Sequence, residues 1–176
     1  EQLDAGLIIG VGQFDFGKDL CVENLCLDEI CVIANKNHTF AGRASVTLKD
    51  IVNENIYFHV GGEAIRSYFL EKCLETGLSP QKIYEESCVE SSLMQVQLGA
   101  GISLLSKQIE SDRSLAKIQL EEMGALTLNI VWNPQNKSQG LKELVKTAKN
   151  TSWLLHAENF SGQILEQQST AASVDA

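Results

Sequence analysis

The chain has no long apolar run, no cluster of basic residues, no paired cysteines and no catalytic signature. Each absence excludes a class of function. A helix that spans a membrane needs roughly 18 or more consecutive apolar residues, and no stretch of the sequence approaches that. The opening residues, Glu1-Gln2-Leu3-Asp4, lack a basic region followed by an apolar run, so no signal peptide is expected. Lys and Arg total 14 against 23 Asp and Glu, a net charge of −9. The basic residues are scattered, with no run longer than two. Attraction to a phosphate backbone depends on clustered Lys and Arg, so this chain is not expected to grip DNA by itself.

The five cysteines are Cys21, Cys26, Cys31, Cys73 and Cys88. An odd count with no C-x-x-C pair argues against a disulfide framework and for a reducing, cytoplasmic setting. Cys21, Cys26 and Cys31 recur every five residues, a spacing that raises the question of a metal. In a strand that odd spacing puts successive side chains on opposite faces, so they cannot converge on one ion. They read as structural thiols. G-x-S-x-G, H-E-x-x-H and P-loop patterns are all missing. The three histidines, His38, His59 and His156, are joined to no serine or cysteine by a local motif. No enzyme, no metal and no cofactor is expected.

What remains is globular: 176 residues, 44% apolar and 21% charged, enough for one ordinary core or two small lobes. Residues 3–10 (LDAGLIIG) read as a buried strand ending in glycine. Residues 20–34 are extended, with 30–34 fully buried. A turn-rich loop over 35–43 follows, then a short helix over 47–52 and a strand over 55–60. Residues 63–76 make the clearest helix, with Ile65, Phe69, Leu70, Cys73 and Leu74 at helical spacing on one face. Gly77 stops it and Pro80 prevents its continuation. A strand over 82–86 leads to Ser87-x-x-Glu90, a capping-box pattern that predicts a helix over 89–98 closed by Gly99. Short strands are predicted over 102–105, 115–120 and 125–132; in the last, Leu126, Leu128, Ile130 and Trp132 alternate. The spacing of Leu141, Leu144, Val145, Ala148 and Leu155 predicts an amphipathic helix over 139–156. Alternating strands and helices predict an α/β protein with mainly parallel strands.

Two glycine patterns bear on ligands. Gly99-x-Gly101 resembles part of a dinucleotide fingerprint, but a phosphate loop runs strand, glycines, helix. Here a helix precedes and a strand follows, so the pattern reads as a tight helix-to-strand turn. The second is Gly61-Gly62-Glu63-Ala64, which opens a helix just past a strand, as Ser87-Cys88 does after the next strand. Open α/β sheets place ligands at such strand ends. Helix starts offer N–H donors and partial positive charge, suited to a carboxylate or other small anion. Ordinary punctuation explains the same residues: Ser87 as its own cap and glycine as a strand breaker. Glu63 and Glu90 already answer part of each dipole. His59 lies beside Gly61 as a ligand contact or a polar wall, and Cys88 at a helix start is a reactive or a structural thiol.

These residues together resemble the effector-binding domain of LysR-type transcriptional regulators. LDAGLIIG resembles the strand that closes the first half-lobe there. ENLCLDEICVIANKNHTFAGRASVTLKDI resembles the crossover strand and the phrase after it, with Thr39 where proline is usual. GGEAIRSYFLEKCLETGLSPQKIYE resembles the Gly-rich turn and its Arg-bearing helix. SCVESSLMQVQLGAGISLLS resembles the Val-x-x-Gly-x-Gly-Ile signature, with Ser106 in place of a common proline. The resemblance covers about residues 3–153.

It implies a two-lobed, periplasmic-binding-protein-like (type 2) α/β fold with a small effector held between lobes. Crossovers would lie near 14–27 and 104–111. Residues 1–16 and 106–160 would form a partial first lobe, residues 27–105 a complete second lobe, and 161–176 a disordered tail. The opening of the first lobe and a winged helix-turn-helix for promoter DNA would lie upstream, outside this chain. Carried over position by position, the effector would meet Ile9 and Gly10 from the first lobe, and His59, Gly61, Gly62, Glu63, Ala64, Ser87 and Cys88 from the second. The implied partners are a small, anionic effector and further copies in a homodimer or homotetramer, with no membrane contact. The alternatives are a solute-binding protein of a transport system with the same fold, or a small α/β enzyme using His59 or Cys88.

Overall fold

The apolar run over residues 30–34 ends within the longest strand. In the computed structural model, which describes residues 3–11, 19–109 and 112–151, β1 spans Ala5–Val11 and β2 spans Cys21–Asn35. Then come β3 (Ser45–Val46), α1 (Leu48–Ile51), β4 (Ile56–His59), α2 (Glu63–Glu75), β5 (Ile83–Glu86) and α3 (Val89–Gln97). β6 (Ile102–Ser106), β7 (Leu115–Leu120), β8 (Ala125–Trp132) and α4 (Gln139–Asn150) complete the order. The described chain divides into two compact units. The first holds residues 3–9, 19–27 and 127–151, the second residues 10–11, 28–109 and 112–126.

In the second unit the strands lie in the order β3-β7-β2-β6-β4-β5. β4 runs parallel to β5 and β6, and β3 parallel to β7. β2 runs antiparallel to both its neighbours, pairing Val32 with Leu104 of β6 and with Ile118 of β7. The sheet is therefore mixed rather than mainly parallel. Residues 30–34 are buried on both faces: Ile30, Val32 and Ala34 enter one core cluster, Cys31 and Ile33 another. Period-2 alternation makes this unavoidable once both faces are covered. α2 covers the first face with Ile65, Phe69 and Cys73; α3 covers the second with Val96, Val89 and Leu93. Ser103, the buried polar residue of β6, has no exposed surface, and its hydroxyl donates to the Tyr57 carbonyl at 2.7 Å.

Local chemistry sets the helix limits. Thr47 caps α1: its hydroxyl accepts from the Asp50 N–H, and the Asp50 carboxylate accepts from the Thr47 N–H. α2 and α3 both end in Schellman turns around a left-handed glycine, Gly77 (φ 72°) and Gly99 (φ 75°). In the first, Leu78 N–H reaches Cys73 O at 2.7 Å; in the second, Ala100 N–H reaches Gln95 O at 3.0 Å.

In the first unit β8 lies between β1 and the start of β2. Leu25, Ile130 and Ala148 form its core, with Trp132 and Val145 packed against them. Asn129 is buried and accepts from Asn24 at 3.3 Å. Ser138 caps α4 by accepting from Leu141 N–H.

Several expectations differ in detail. Leu70 and Leu74 are 39% and 80% exposed, because the buried stripe of α2 is the narrow row Ile65, Phe69, Cys73. α4 ends at Asn150, where Thr151 turns extended; Leu144 is exposed and Leu155 lies outside the described residues. β8 does not simply alternate, since Asn129, Ile130 and Val131 are all buried. The second unit extends to Leu126, past the 105/106 boundary that the resemblance implies, because β7 pairs with β2 and β3. The tail at 161–176 and parts of both crossovers fall outside the described residues.

Candidate functional site

Parallel register brings two helix starts together. β4 and β5 pair from Ile56↔Ile83 to His59↔Glu86, and Val60 N–H then donates to Glu86 O at 2.9 Å. Both chains leave the sheet at the same end, one into Gly61-Gly62 and α2, the other into Ser87-Cys88 and α3. Their helices cover opposite faces of the sheet, so the two starts flank the strand ends from either side. His59 lies at the centre and feels the charges of both Glu63 and Glu90.

The glycines of the first turn serve two purposes. Gly61 has φ +95°, which disfavours any side chain. Gly62, the N-cap of α2, has an ordinary φ of −95°, but a Cβ there would meet His59 Cε1 at 3.0 Å and Nδ1 at 3.1 Å. His59 is thus packed beneath the turn, and its Nδ1 is buried without a hydrogen-bond partner. Burial holds its imidazole below the ordinary histidine pKa, against the upward pull of Glu63 and then Glu90. The ring is neutral at pH 7.

The two acidic side chains at the rim are engaged with backbone. Glu63 Oε1 accepts from Gly61 N–H at 3.1 Å. That bond, then one from its own N–H, holds the Glu63 carboxyl below the usual range. Glu90 is lowered too, by its own N–H and then by Cys88. Glu63 therefore stands where an incoming anion would meet the Gly61 donor. Arg66 pairs with Glu85 at 2.6 Å, while its Nε is buried without a partner.

The α3 cap is shifted by one residue from the Ser87/Glu90 pairing read from the sequence. Cys88 is the N-cap, and Ser91 Oγ accepts from Cys88 N–H at 3.2 Å. Ser87 is exposed beside it, as is the Cys88 side chain. Ala64 is exposed in the first turn of α2. Ile9 ends its part of the first unit and is 57% exposed; Gly10 is buried and belongs to the second unit. The structure thus groups seven of the sequence-selected positions on one rim and leaves Ile9 and Gly10 on β1. Glu90 and Arg66 join the rim electrostatically. Neither was selected, although both lie within one turn of a helix start, which is a readable signal.

Of the other histidines, His156 lies outside the described residues and His38 has local partners. His38 lies 3.6 Å from Glu54 and accepts from Phe40 N–H. Cys31 is buried, and desolvation pushes its thiol up to about 12. Among the described residues no three His, Cys, Asp or Glu side chains gather as a metal site, and no helix is long and apolar enough to cross a membrane.

A two-unit α/β chain with its candidate rim past parallel strands matches a known class. Its fold is that of LysR effector-binding domains, which is periplasmic-binding-protein-like. The BenM effector-binding domain with benzoate superposes with a TM-score of 0.65 at 20% identity, over 88% of this chain and 71% of that one. The Synechocystis PCC6803 CcmR regulatory domain in complex with 2-PG gives 0.67 at 16% identity, over 84% and 72%. Residues 1–152 match the family described as the LysR substrate binding domain, and the chain belongs to that family. A relative, the uncharacterized HTH-type transcriptional regulator YwqM of Bacillus subtilis (strain 168), is 32% identical over 111 residues. That alignment covers 63% of this chain and 37% of the relative, so the chain spans well under half of that protein. The family is a ligand-binding domain of transcriptional regulators, not a catalytic one.

Proposed function

We propose that this chain is the effector-sensing domain of a cytoplasmic LysR-type regulator. Its effector is a small anion that meets the rim at Gly61, Gly62, Glu63, Ala64, Ser87 and Cys88, with His59 beneath. The observation that carries this reading is the side-by-side placement of two helix starts past parallel strands, with the half-buried His59 between them. Solved neighbours that hold benzoate and 2-PG support the ligand class. In the whole regulator, a dimer or tetramer would hold promoter DNA through a helix-turn-helix outside this chain. The effector shifts that assembly only by its differential affinity for two arrangements.

An anion entering the rim has to replace Glu63 at the Gly61 N–H. Glu63→Gln removes the competing charge and keeps the side-chain length. Small carboxylates and phosphates, beginning with benzoate and inorganic phosphate, are titrated into both proteins and followed by amide NMR. The expected result is shifts at Gly61–Ala64 and Ser87–Cys88, with several-fold tighter binding to Glu63→Gln. If no anion of the panel moves these amides in either protein, the reading fails.

A further inference from the structure

The first unit carries a groove that the rim does not involve. Its volume is about 570 Å³, within the range of small-ligand sites. Apolar side chains line it: Trp132 and Pro134 at the end of β8, and Leu141 and Val145 on α4. Cations line it too: Lys137, Lys142, Lys146 and Lys149. The charge is out of keeping with the chain, which carries −9 overall.

Most of that charge is uncompensated. Lys149 pairs with Glu23 at 2.7 Å. Lys137, Lys142 and Lys146 have no acidic partner among the described residues. Glu143, the one acid of α4, has its carboxylate engaged by Gln139 at 2.9 Å. Lys142 and Lys146 stand four residues apart on one helix face, a like-charge pair that disfavours the helix. Lys137 stands just before the helix start, where the N–H ends add further positive potential.

We infer that this groove is a second binding site, for a small anion with an aromatic or aliphatic body. The carboxylate or phosphate lies among Lys137, Lys142 and Lys146, and the body rests on Trp132 and Val145. Two features select this class together. A bare inorganic anion leaves the apolar walls wet, and a neutral apolar molecule leaves the ammonium groups without a partner.

The test uses 2-naphthoate, its neutral amide 2-naphthamide and inorganic phosphate, each titrated into the full 176-residue chain and mapped by NMR. 2-Naphthoate is expected to shift the Trp132 indole and the α4 amides. It should bind at least tenfold more tightly than the amide or phosphate. Lys142→Gln/Lys146→Gln removes two partly exposed ion pairs with the ligand and should weaken binding roughly tenfold. Raised salt should do the same. Both positions are at the surface, so an unchanged melting temperature shows that the fold is kept. Equal binding of the amide, equal binding of phosphate, or an unaltered affinity in the double variant would each overturn the inference. Shifts confined to Gly61–Ala64 would overturn it as well, while leaving the rim reading intact.

Discussion

Gly101 offers the sharpest test of the packing argument. It precedes β6, where the chain passes against the residue before β4. A Cβ on Gly101 would lie 2.1 Å from the Asn55 carbonyl oxygen, 2.7 Å from Asn55 Cβ and 3.0 Å from its carbonyl carbon. The first and last of these are backbone atoms and cannot swing aside. The same carbonyl accepts the Ile102 N–H at 2.9 Å, and Asn55 Nδ2 donates to Ala100 O at 2.7 Å. Seating one methyl at Gly101→Ala means pulling β4 from β6 by about an ångström, given the roughly 3.5 Å that non-bonded heavy atoms prefer, and loosening both bonds. Overpacking costs about 1–3 kcal/mol, and a lost hydrogen bond adds about 1 kcal/mol, so about 2–4 kcal/mol is expected. Gly99→Ala is the control. A Cβ there meets nothing within 4 Å, but φ is +75°, so only the left-handed penalty of about 1–2 kcal/mol applies. Urea and thermal unfolding of both variants check this. For a chain of this size Gly101→Ala should lower Tm by roughly 4–16 °C, and Gly99→Ala by roughly 2–8 °C. A Gly101→Ala protein no less stable than Gly99→Ala would refute the close-approach reasoning.

Two further predictions concern titratable groups. His59 has its pKa lowered by burial, so the unfolded chain binds more protons than the folded one below the ordinary histidine value of 6.5. Stability is then greatest above that value and declines as pH falls through the folded one. His59→Gln should flatten this part of the pH–stability curve, and an unchanged slope would contradict the assignment. Cys31, 2% exposed with its thiol at about 12, should resist a thiol reagent at pH 8 until the protein unfolds, while exposed Cys88 reacts. Loss of the fast phase in Cys88→Ser, and its persistence in Cys31→Ser, is the expected pattern; the reverse would count against the burial.

Much of the second unit is legible in the sequence because its signals are local. Gly77 and Gly99 stop helices through a φ that glycine adopts freely, and both do so here. Thr47 and Asp50 lie three residues apart and cap each other. The buried run at 30–34 reads correctly because both faces need apolar side chains. The α3 cap differs by one residue because Ser87 and Cys88 both precede a residue able to reciprocate, and only the extended backbone of Cys88 chooses between them. Leu70 and Leu74 mislead because helical periodicity gives the direction of a face but not the width of its partner.

The residues of the rim, then, are set by sequence: strand, glycine turn, helix start and strand, polar turn, helix start. The family is legible there too, since its phrases follow the chain in order. Tertiary structure alone decides that Glu63 and Glu90 act on one histidine. They are far apart in the chain, and only the parallel register of β4 on β5 brings them together. That Glu63 takes the Gly61 donor is, by contrast, a local contact across two residues, in keeping with an acid at the helix start. Tertiary structure alone gathers the lysines of α4 beside Trp132. Charge in a sequence is a sum, whereas a binding site depends on which charges share a groove and which of them the fold has left without a partner.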